Sequence, residues 1–307
     1  MFWTAKKWEP TITFTEPKCK KVQMEKWKAS CKPERAKTEA PKSEELLLPY
    51  SKIDWEKKFL DTFKQLIYAH RPWDVWRDLI IMNACAISNA VDRTHYDERE
   101  NRYLSIIKKY TKAEQKLFPE LCAYITMALE DNPEQDFLGK IFMALDLGNT
   151  SNGQFFTPYS VCQLMSEIVT NDAEKKIEKQ GYISLNDSCC GAGATIIAAA
   201  NSIRKKLENR KHPLNYQNHV FVVAQDIDET VGLMCYIQVA LLRLAGYVKI
   251  GNSLSNPITG SDSRENYWYT PLYFADTWVM RRTIQYLNKL FRMYENEKEL
   301  FGDRRLM

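Results

Sequence analysis

The chain has 307 residues, 45% of them hydrophobic and 27% charged, with 11 Gly and 12 Pro. That length holds one large domain or two modest ones, and the composition excludes wholesale disorder and low-complexity architecture. The formal charge of +4 is too small to establish a nucleic-acid partner, but it is unevenly placed: residues 1–47 carry 11 Lys/Arg against 7 Asp/Glu, and the remainder is balanced.

Residues 1–47 mix Lys, Glu, Thr and Pro without a helical or alternating period and read as a flexible basic arm. Trp3, Trp8 and Trp27 leave two readings open: an arm docked on its own domain or on a partner, and a solvated tail with a few sticky contacts. Residues 48–150 are predicted to form a helical domain. Trp55, Phe59, Phe63 and Ile67 recur every four residues, and Leu79, Met82, Ala86 and Ala90 continue in similar fashion. Four or five helices are expected up to about Leu147, with the aromatic stripes in the core.

Residues 151–307 are predicted to form an α/β domain. Thr157 is the expected N-cap of a helix and Pro158 its first residue, with Val161, Leu164, Met165, Ile168 and Val169 on one face. Short strands at Tyr182–Leu185, His219–Ala224 and Tyr247–Ile250 alternate with helices at Ala194–Leu207 and Thr230–Leu244. Such alternation predicts a parallel sheet whose strands are buried on both faces.

The eight cysteines include no C-x-x-C pair and the four histidines stand far from metal or triad spacing, so no metal is expected. Cys85, Cys122, Cys162 and Cys235 lie in apolar helical runs, as reduced thiols of a cytoplasmic protein do, and Cys189 and Cys190 read as small fillers. The longest apolar run, around Leu79–Ile87, is about half the ~20 residues that span a bilayer. The N-terminus has no uninterrupted apolar h-region, so a soluble protein with no membrane partner is expected. The basic residues Arg204, Lys205, Lys206, Arg210 and Lys211 suit a solvated helix C-terminus better than a phosphate contact.

The most informative segment is Asp187-Ser188-Cys189-Cys190-Gly191-Ala192-Gly193. A strand delivers an acid into a Gly-x-Gly turn, and a helix starts at once. Glycines let backbone approach a ligand closely, and open α/β sheets bind ligands at the carboxyl ends of their strands. The turn lacks the third glycine of the dinucleotide fingerprint and the Gly-Lys-Ser/Thr of a P-loop. Asp226 ends the next strand. Alone it reads as a helix cap; paired with the glycine turn it reads as a carboxylate for the two hydroxyls of a ribose.

Four short motifs then stand in one order: Gly153-Gln154-Phe155-Phe156-Thr157-Pro158, the Asp187–Gly193 turn, Gln225-Asp226-Ile227-Asp228, and Gly251-Asn252-Ser253-Leu254. From about residue 50 to about 275 the chain resembles the amino-methylating adenine DNA methyltransferases, especially the modification subunit of type I restriction-modification systems. In that family an Asp-x-Leu-Gly element ends the helical domain, and Asp136-Phe137-Leu138-Gly139 stands in its place. The resemblance implies a Rossmann-like S-adenosylmethionine-dependent domain after the helices, with DNA as substrate. It places Phe156, Thr157 and Pro158 at the methionine end of the cofactor and Asp187, Gly191 and Gly193 in the turn beneath it. Asp226 would take the ribose and Ile227 the adenine, with Asn252 where the family has an aspartate for the adenine amino group.

The chain departs from the family at the catalytic tetrapeptide, Asn or Asp, Pro, Pro, then Tyr or Phe. Asn256-Pro257-Ile258-Thr259 comes too soon after Gly251 and has no aromatic. Thr270-Pro271-Leu272-Tyr273 stands at about the expected place and keeps Pro271 and Tyr273, but has Thr270 for the amide or acid. The residues after Tyr273 read as helix, with Trp278, Thr283, Tyr286, Leu290 and Met293 at near-helical spacing. That leaves no room for the family's three further strands, so the sheet is expected to be reduced or completed by a second protein subunit. The expected function is N6-adenine methylation of DNA, attenuated or partner-dependent; the alternative is a catalytically inactive cofactor-binding scaffold of a restriction-modification or mobile-element system.

Overall fold

The computed structural model describes residues 53–147, 156–259 and 263–302. The expected arm at 1–47 and the residues Gly153, Gln154 and Phe155 lie outside them. From Ile53 onward the chain is one compact unit.

Among the described residues the chain opens with the helices α1 Trp55–Ile67, α2 Pro72–Asn89, α3 Tyr96–Ile107, α4 Lys112–Gln115, α5 Leu117–Asp131 and α6 Phe137–Ala144. Their starts are written locally. The Asp54 carboxylate accepts from the Lys57 N–H at 2.9 Å, Pro72 opens α2, and Thr111 and Glu114 form a capping box. The expected aromatic stripe is core: Phe59, Phe63, Trp76 and Phe142 are buried, and Phe59 meets Trp76 edge-to-face with centroids 6.1 Å apart.

Then come α7 Tyr159–Val169, α8 Ala173–Gln180, β1 Ile183–Asp187, α9 Ala194–Glu208, β2 Val220–Asp226, α10 Glu229–Leu241, β3 Ala245–Ile250, β4 Tyr267–Tyr269 and α11 Asp276–Gly302. The sheet order is β1-β2-β3-β4. The first three strands are parallel, in a register that pairs Asp187 with Ala224 and Asp226 with Ile250, so their carboxyl ends share one edge. The fourth corrects the expectation of a wholly parallel sheet: β4 runs antiparallel beside β3, with Trp268 opposite Val248. Gly246 lets β2 and β3 approach, since a Cβ there would stand 2.1 Å from the Val222 carbonyl oxygen.

Two further expectations are corrected. The strands are not buried on both faces: α9 and α10 cover one, while Ser184 and Asn186 of β1 are exposed and Phe221, Val223 and Tyr247 are half-buried on the other. Helix α7 starts one residue late, with Pro158 rather than Thr157 at the cap and no side-chain cap hydrogen bond. Its packed side is Cys162 and Ser166, small residues that let α7 lie close to Ala194 and Ala198 of α9. The apolar stripe of Val161, Leu164, Met165, Ile168 and Val169 is therefore turned outward, with Ile168 72% exposed. Helix α11 resembles it: Trp278 is buried, but Met280, Ile284, Leu287 and Phe291 are exposed.

The helices and the sheet share one core, running from Phe59 and Trp76 through Leu138, Ile197 and Val222 to Trp268. Polar ties reinforce it. The Arg102 guanidinium grips the Glu229 carboxylate with two bonds of 2.7 and 2.6 Å, joining α3 to the start of α10. Among the described residues no helix is long and apolar enough to cross a membrane.

Candidate functional site

The candidate site grows from three loops that follow β1, β2 and β3 at the shared carboxyl edge. After β1, the Asp187 carboxylate accepts from the Cys189 N–H at 3.1 Å and from the Thr195 hydroxyl, which braces the turn against the first turn of α9. Gly191 and Gly193 have φ of 56° and 97°, values that favour glycine. Cys190 donates its N–H to the Gln225 carbonyl at 3.0 Å, and Gly191 donates its own to Asp226 Oδ2 at 2.8 Å. The glycine turn is thus fastened to the end of β2.

Asp226 is the hub. Its Oδ1 accepts from the Asp228 N–H at 3.0 Å, and its carbonyl accepts from the Gly251 N–H at 2.8 Å. Each carboxylate oxygen has a second lone pair, so two further bonds remain available. Burial pushes its pKa above the ordinary carboxylate value, and the two N–H bonds offset that only in part. Ile227, beside it, is 68% exposed, a free apolar surface over the loop. Phe156 lies against Gly191, 3.4 Å from where a Cβ would stand. With Thr157 and Pro158 it borders a cavity of about 240 Å³ that Asp136, Gly139 and Met143 close from the helical side.

Three buried amide or amine side chains hold these loops. Gln225 Nε2 donates to the carbonyls of Gly251 and Asn256, at 3.1 and 2.9 Å. Gln238 Nε2 donates to Asp136 Oδ1 at 2.7 Å and to the Ala192 carbonyl at 2.9 Å, while its Oε1 accepts from the Leu138 N–H at 3.1 Å. Asp136 also caps α6 through the Gly139 N–H at 2.8 Å, and burial raises its pKa. The Asp136–Gly139 element is therefore wired to the glycine turn through one residue of α10. Lys249 Nζ donates to Asn256 Oδ1 and to the Pro257 carbonyl, both at 3.0 Å.

The structure brings Phe156, Thr157, Pro158, Asp187, Gly191, Gly193, Asp226, Ile227 and Asn252 to this one edge. Asn252 differs in detail. Its Oδ1 accepts from the N–H groups of Leu254 and Ser255, at 2.8 and 3.2 Å, so its carbonyl is committed within its own turn. Cys189 is exposed on the turn, whereas Cys190 is buried against Cys235, and that contact and burial raise its thiol pKa.

Thr270, Pro271 and Tyr273 do not join the cluster. Because β4 runs backwards, it carries them to the amino end of β3. Thr270 is buried there, accepting from the Gly246 N–H at 3.0 Å and donating to its carbonyl at 3.2 Å. Pro271 and Tyr273 continue in a short 3₁₀ turn, Pro271–Phe274. Asn256 and Pro257, set aside in the sequence for coming too soon after Gly251 and lacking an aromatic, lie at the carboxyl edge, where Gln225 and Lys249 hold them. The basic residues of α9 are occupied locally: Arg204 and Lys205 both meet Glu134, at 2.8 and 2.6 Å, and Arg210 meets Glu178 at 2.6 Å. Among the described residues no group of three His, Cys, Asp or Glu side chains is placed to hold a metal ion.

A built-on Cβ at Gly193 would stand 2.9 Å from Cys235 Sγ and 3.4 Å from its Cα. Gly193→Ala is expected to lower stability by about 1–3 kcal/mol in urea denaturation, from backbone strain and crowding together.

The site is thus a glycine turn fastened to the acidic end of the neighbouring parallel strand, at the carboxyl edge where open α/β sheets bind their ligands. A family model described as N-6 DNA methylase matches residues 136–299, more than half of the chain, and the chain belongs to that family. No curated protein and no solved structure gives a match.

Proposed function

We propose that the carboxyl edge binds S-adenosylmethionine and that the chain serves N6-adenine methylation of DNA, with transfer dependent on a completing subunit. The observation that carries this reading is the Asp226 carboxylate, tied to Gly191 across the two strand ends with acceptor capacity to spare. The residues fit the cofactor. Asp226 would take the ribose hydroxyls, and exposed Ile227 the adenine face. The backbone at Gly191 and Gly193 allows close approach, and Phe156, Thr157 and Pro158 border a cavity for the methionine end. Asn252 fits less well, because its carbonyl is already engaged, so the adenine amino group would rely on other acceptors.

When bound, the cofactor supplies an electrophilic methyl group on its sulfonium sulfur. The chain's share is to hold that methyl still and to present the target amino group, whose proton must leave as the N–C bond forms. Asn256 is a side-chain amide on this edge, with its Oδ1 accepting from Lys249 Nζ. No aromatic follows Pro257 within the tetrapeptide spacing, so the stacking surface for a flipped base would come from elsewhere. The open apolar stripes of α7 and α11, and the β1 edge that no described strand pairs, support a second subunit as its source. A labelled-methyl transfer assay on unmethylated DNA tests this reading. Transfer is expected to be weak with the chain alone and to rise when a completing subunit is added; transfer unchanged by such a subunit would overturn the partner dependence.

A second reading follows from the same departure: a cofactor-binding scaffold with no transfer of its own. It is favoured if S-adenosylmethionine binds and no methyl reaches DNA with any subunit present.

The raised pKa of Asp226 has a signed consequence. As pH falls through that raised value, the carboxylate gains a proton and loses its charged acceptor. Affinity for S-adenosylmethionine is therefore expected to weaken at a pH above the ordinary aspartate range, and Asp226→Asn to flatten that profile in a pH series of titrations. For folding the sign is reversed: the folded carboxyl holds its proton more tightly than the unfolded one. Its contribution to stability is present below the unfolded pKa and is lost as pH rises through the folded value.

A further inference from the structure

The face of the sheet away from α9 and α10 carries a second cavity, of about 310 Å³, at the opposite end from Asp187 and Asp226. It is bounded by Tyr182 just before β1, Phe221 at the start of β2, and Tyr273 and Trp278. Five residues of β2, about 16 Å at ~3.3 Å per residue, separate Phe221 from the Asp226 edge.

Its chemistry is one-sided. Arg264, Arg281 and Arg282 line it, and among the described residues no carboxylate does. Arg264 Nη1 donates to the Tyr269 hydroxyl at 3.1 Å. Arg282 lies 3.7 Å over the Tyr273 ring and donates to that residue's carbonyl at 2.8 Å. Arg281 lies 5.0 Å from the Trp278 ring centroid, and its Nη1 is shielded from solvent with no hydrogen-bond partner among the described residues. Burial disfavours the charge of both Arg281 and Arg282. A shielded N–H donor without a partner costs stability, and an anion that brings its own oxygens satisfies it.

We propose that this cavity binds one nucleotide, with its phosphate on Arg281 and Arg282 and its base against the aromatic wall that includes Tyr182 and Trp278. The planar fork of arginine matches phosphate oxygens, and aromatic rings take a nucleobase of any identity by stacking. The volume is at the small-molecule end of ligand sites, enough for one such unit. An acidic side chain from a protein would satisfy the arginines but leave the rings unused; a nucleotide uses both. The proposal does not rest on the cofactor reading, since the two sites share no residue.

The test is calorimetric titration of the folded full chain with the four deoxynucleoside monophosphates, and with the matching nucleosides and inorganic phosphate as halves of the ligand. A short single-stranded oligodeoxynucleotide and an acidic peptide complete the series. At least one monophosphate is expected to saturate one site, with its nucleoside and phosphate at least tenfold weaker. Tighter binding of the oligonucleotide assigns the site to a DNA strand, and equal or weaker binding assigns it to a free nucleotide. Arg281→Gln is expected to weaken binding at least tenfold in a sample that still melts cooperatively; Arg281→Lys should restore part of the affinity. Saturating S-adenosylmethionine should leave nucleotide affinity unchanged. The proposal is overturned by no binding of any nucleotide or oligonucleotide, by an unchanged affinity in Arg281→Gln, by preference for the acidic peptide, or by displacement with S-adenosylmethionine.

Discussion

Replacing Arg99 with methionine is expected to lower stability by about 3–5 kcal/mol, the range for removing one partner of a buried ion pair. Arg99 Nη1 donates to Asp92 Oδ2 at 2.9 Å and Nη2 to the Tyr267 carbonyl at 2.7 Å, and the guanidinium lies 4.0 Å from the Trp268 ring centroid. One side chain thus ties the helical layer to the antiparallel edge strand. Asp92 is buried with it and also meets His95 Nδ1 at 2.8 Å. Burial alone would raise the Asp92 pKa, but the His95 bond and the charges of His95 and Arg99 outweigh it and hold the carboxyl below the usual range. Without Arg99 the carboxylate loses its permanent positive partner and Trp268 its cation. Urea denaturation checks the magnitude. The double variant Arg99→Met with Asp92→Asn should recover part of the loss, because the stranded charge is gone. A change below about 1 kcal/mol, the scale of exposed pairs, would mean that the pair does not organise this interface. The depressed Asp92 pKa also means that its contribution is present above the unfolded carboxylate value and is lost as pH falls through the folded one.

Asp226→Ala is expected to weaken S-adenosylmethionine binding at least about 100-fold. Two charge-assisted hydrogen bonds to ribose hydroxyls are worth about 1.5–3 kcal/mol each, and every 1.4 kcal/mol is tenfold in affinity. The substitution also strips the Gly191 N–H of its acceptor, so the turn that carries the cofactor relaxes at the same time. Calorimetry on a variant with a native-like melting profile separates this from unfolding. A loss of less than tenfold would place the ribose on other residues, despite the position of Asp226 at the end of β2.

Much of this site is legible in the sequence because its causes are local. A Gly-x-Gly after an apolar strand needs positive φ at both glycines, and Gly191 and Gly193 have it. The acid ending the next strand falls beside that turn once two parallel strands pair in register, as β1 and β2 do with Asp187 opposite Ala224. What could not be read was direction. Tyr267-Trp268-Tyr269 is too short to show whether it continues the parallel order, and the reversal carries Thr270 and Tyr273 to the amino end of β3. The α7 stripe misleads for a related reason. Periodicity shows that Val161, Leu164, Met165, Ile168 and Val169 share a side of the helix; it does not show which side packs, and small Cys162 and Ser166 allow closer approach to α9. The site's internal supports left a readable signal of another kind. Gln225, Gln238 and Lys249 each interrupt an apolar run, and a polar group in such a place must find partners. All three find them on loops or turns of the candidate site.

The central claim is tested most directly by titrating S-adenosylmethionine into the folded full chain by calorimetry, with Asp226→Ala alongside. The account predicts saturable binding at one site per chain, lost or reduced at least about 100-fold in the variant. No binding to a sample that unfolds cooperatively, or equal binding by both proteins, would contradict it.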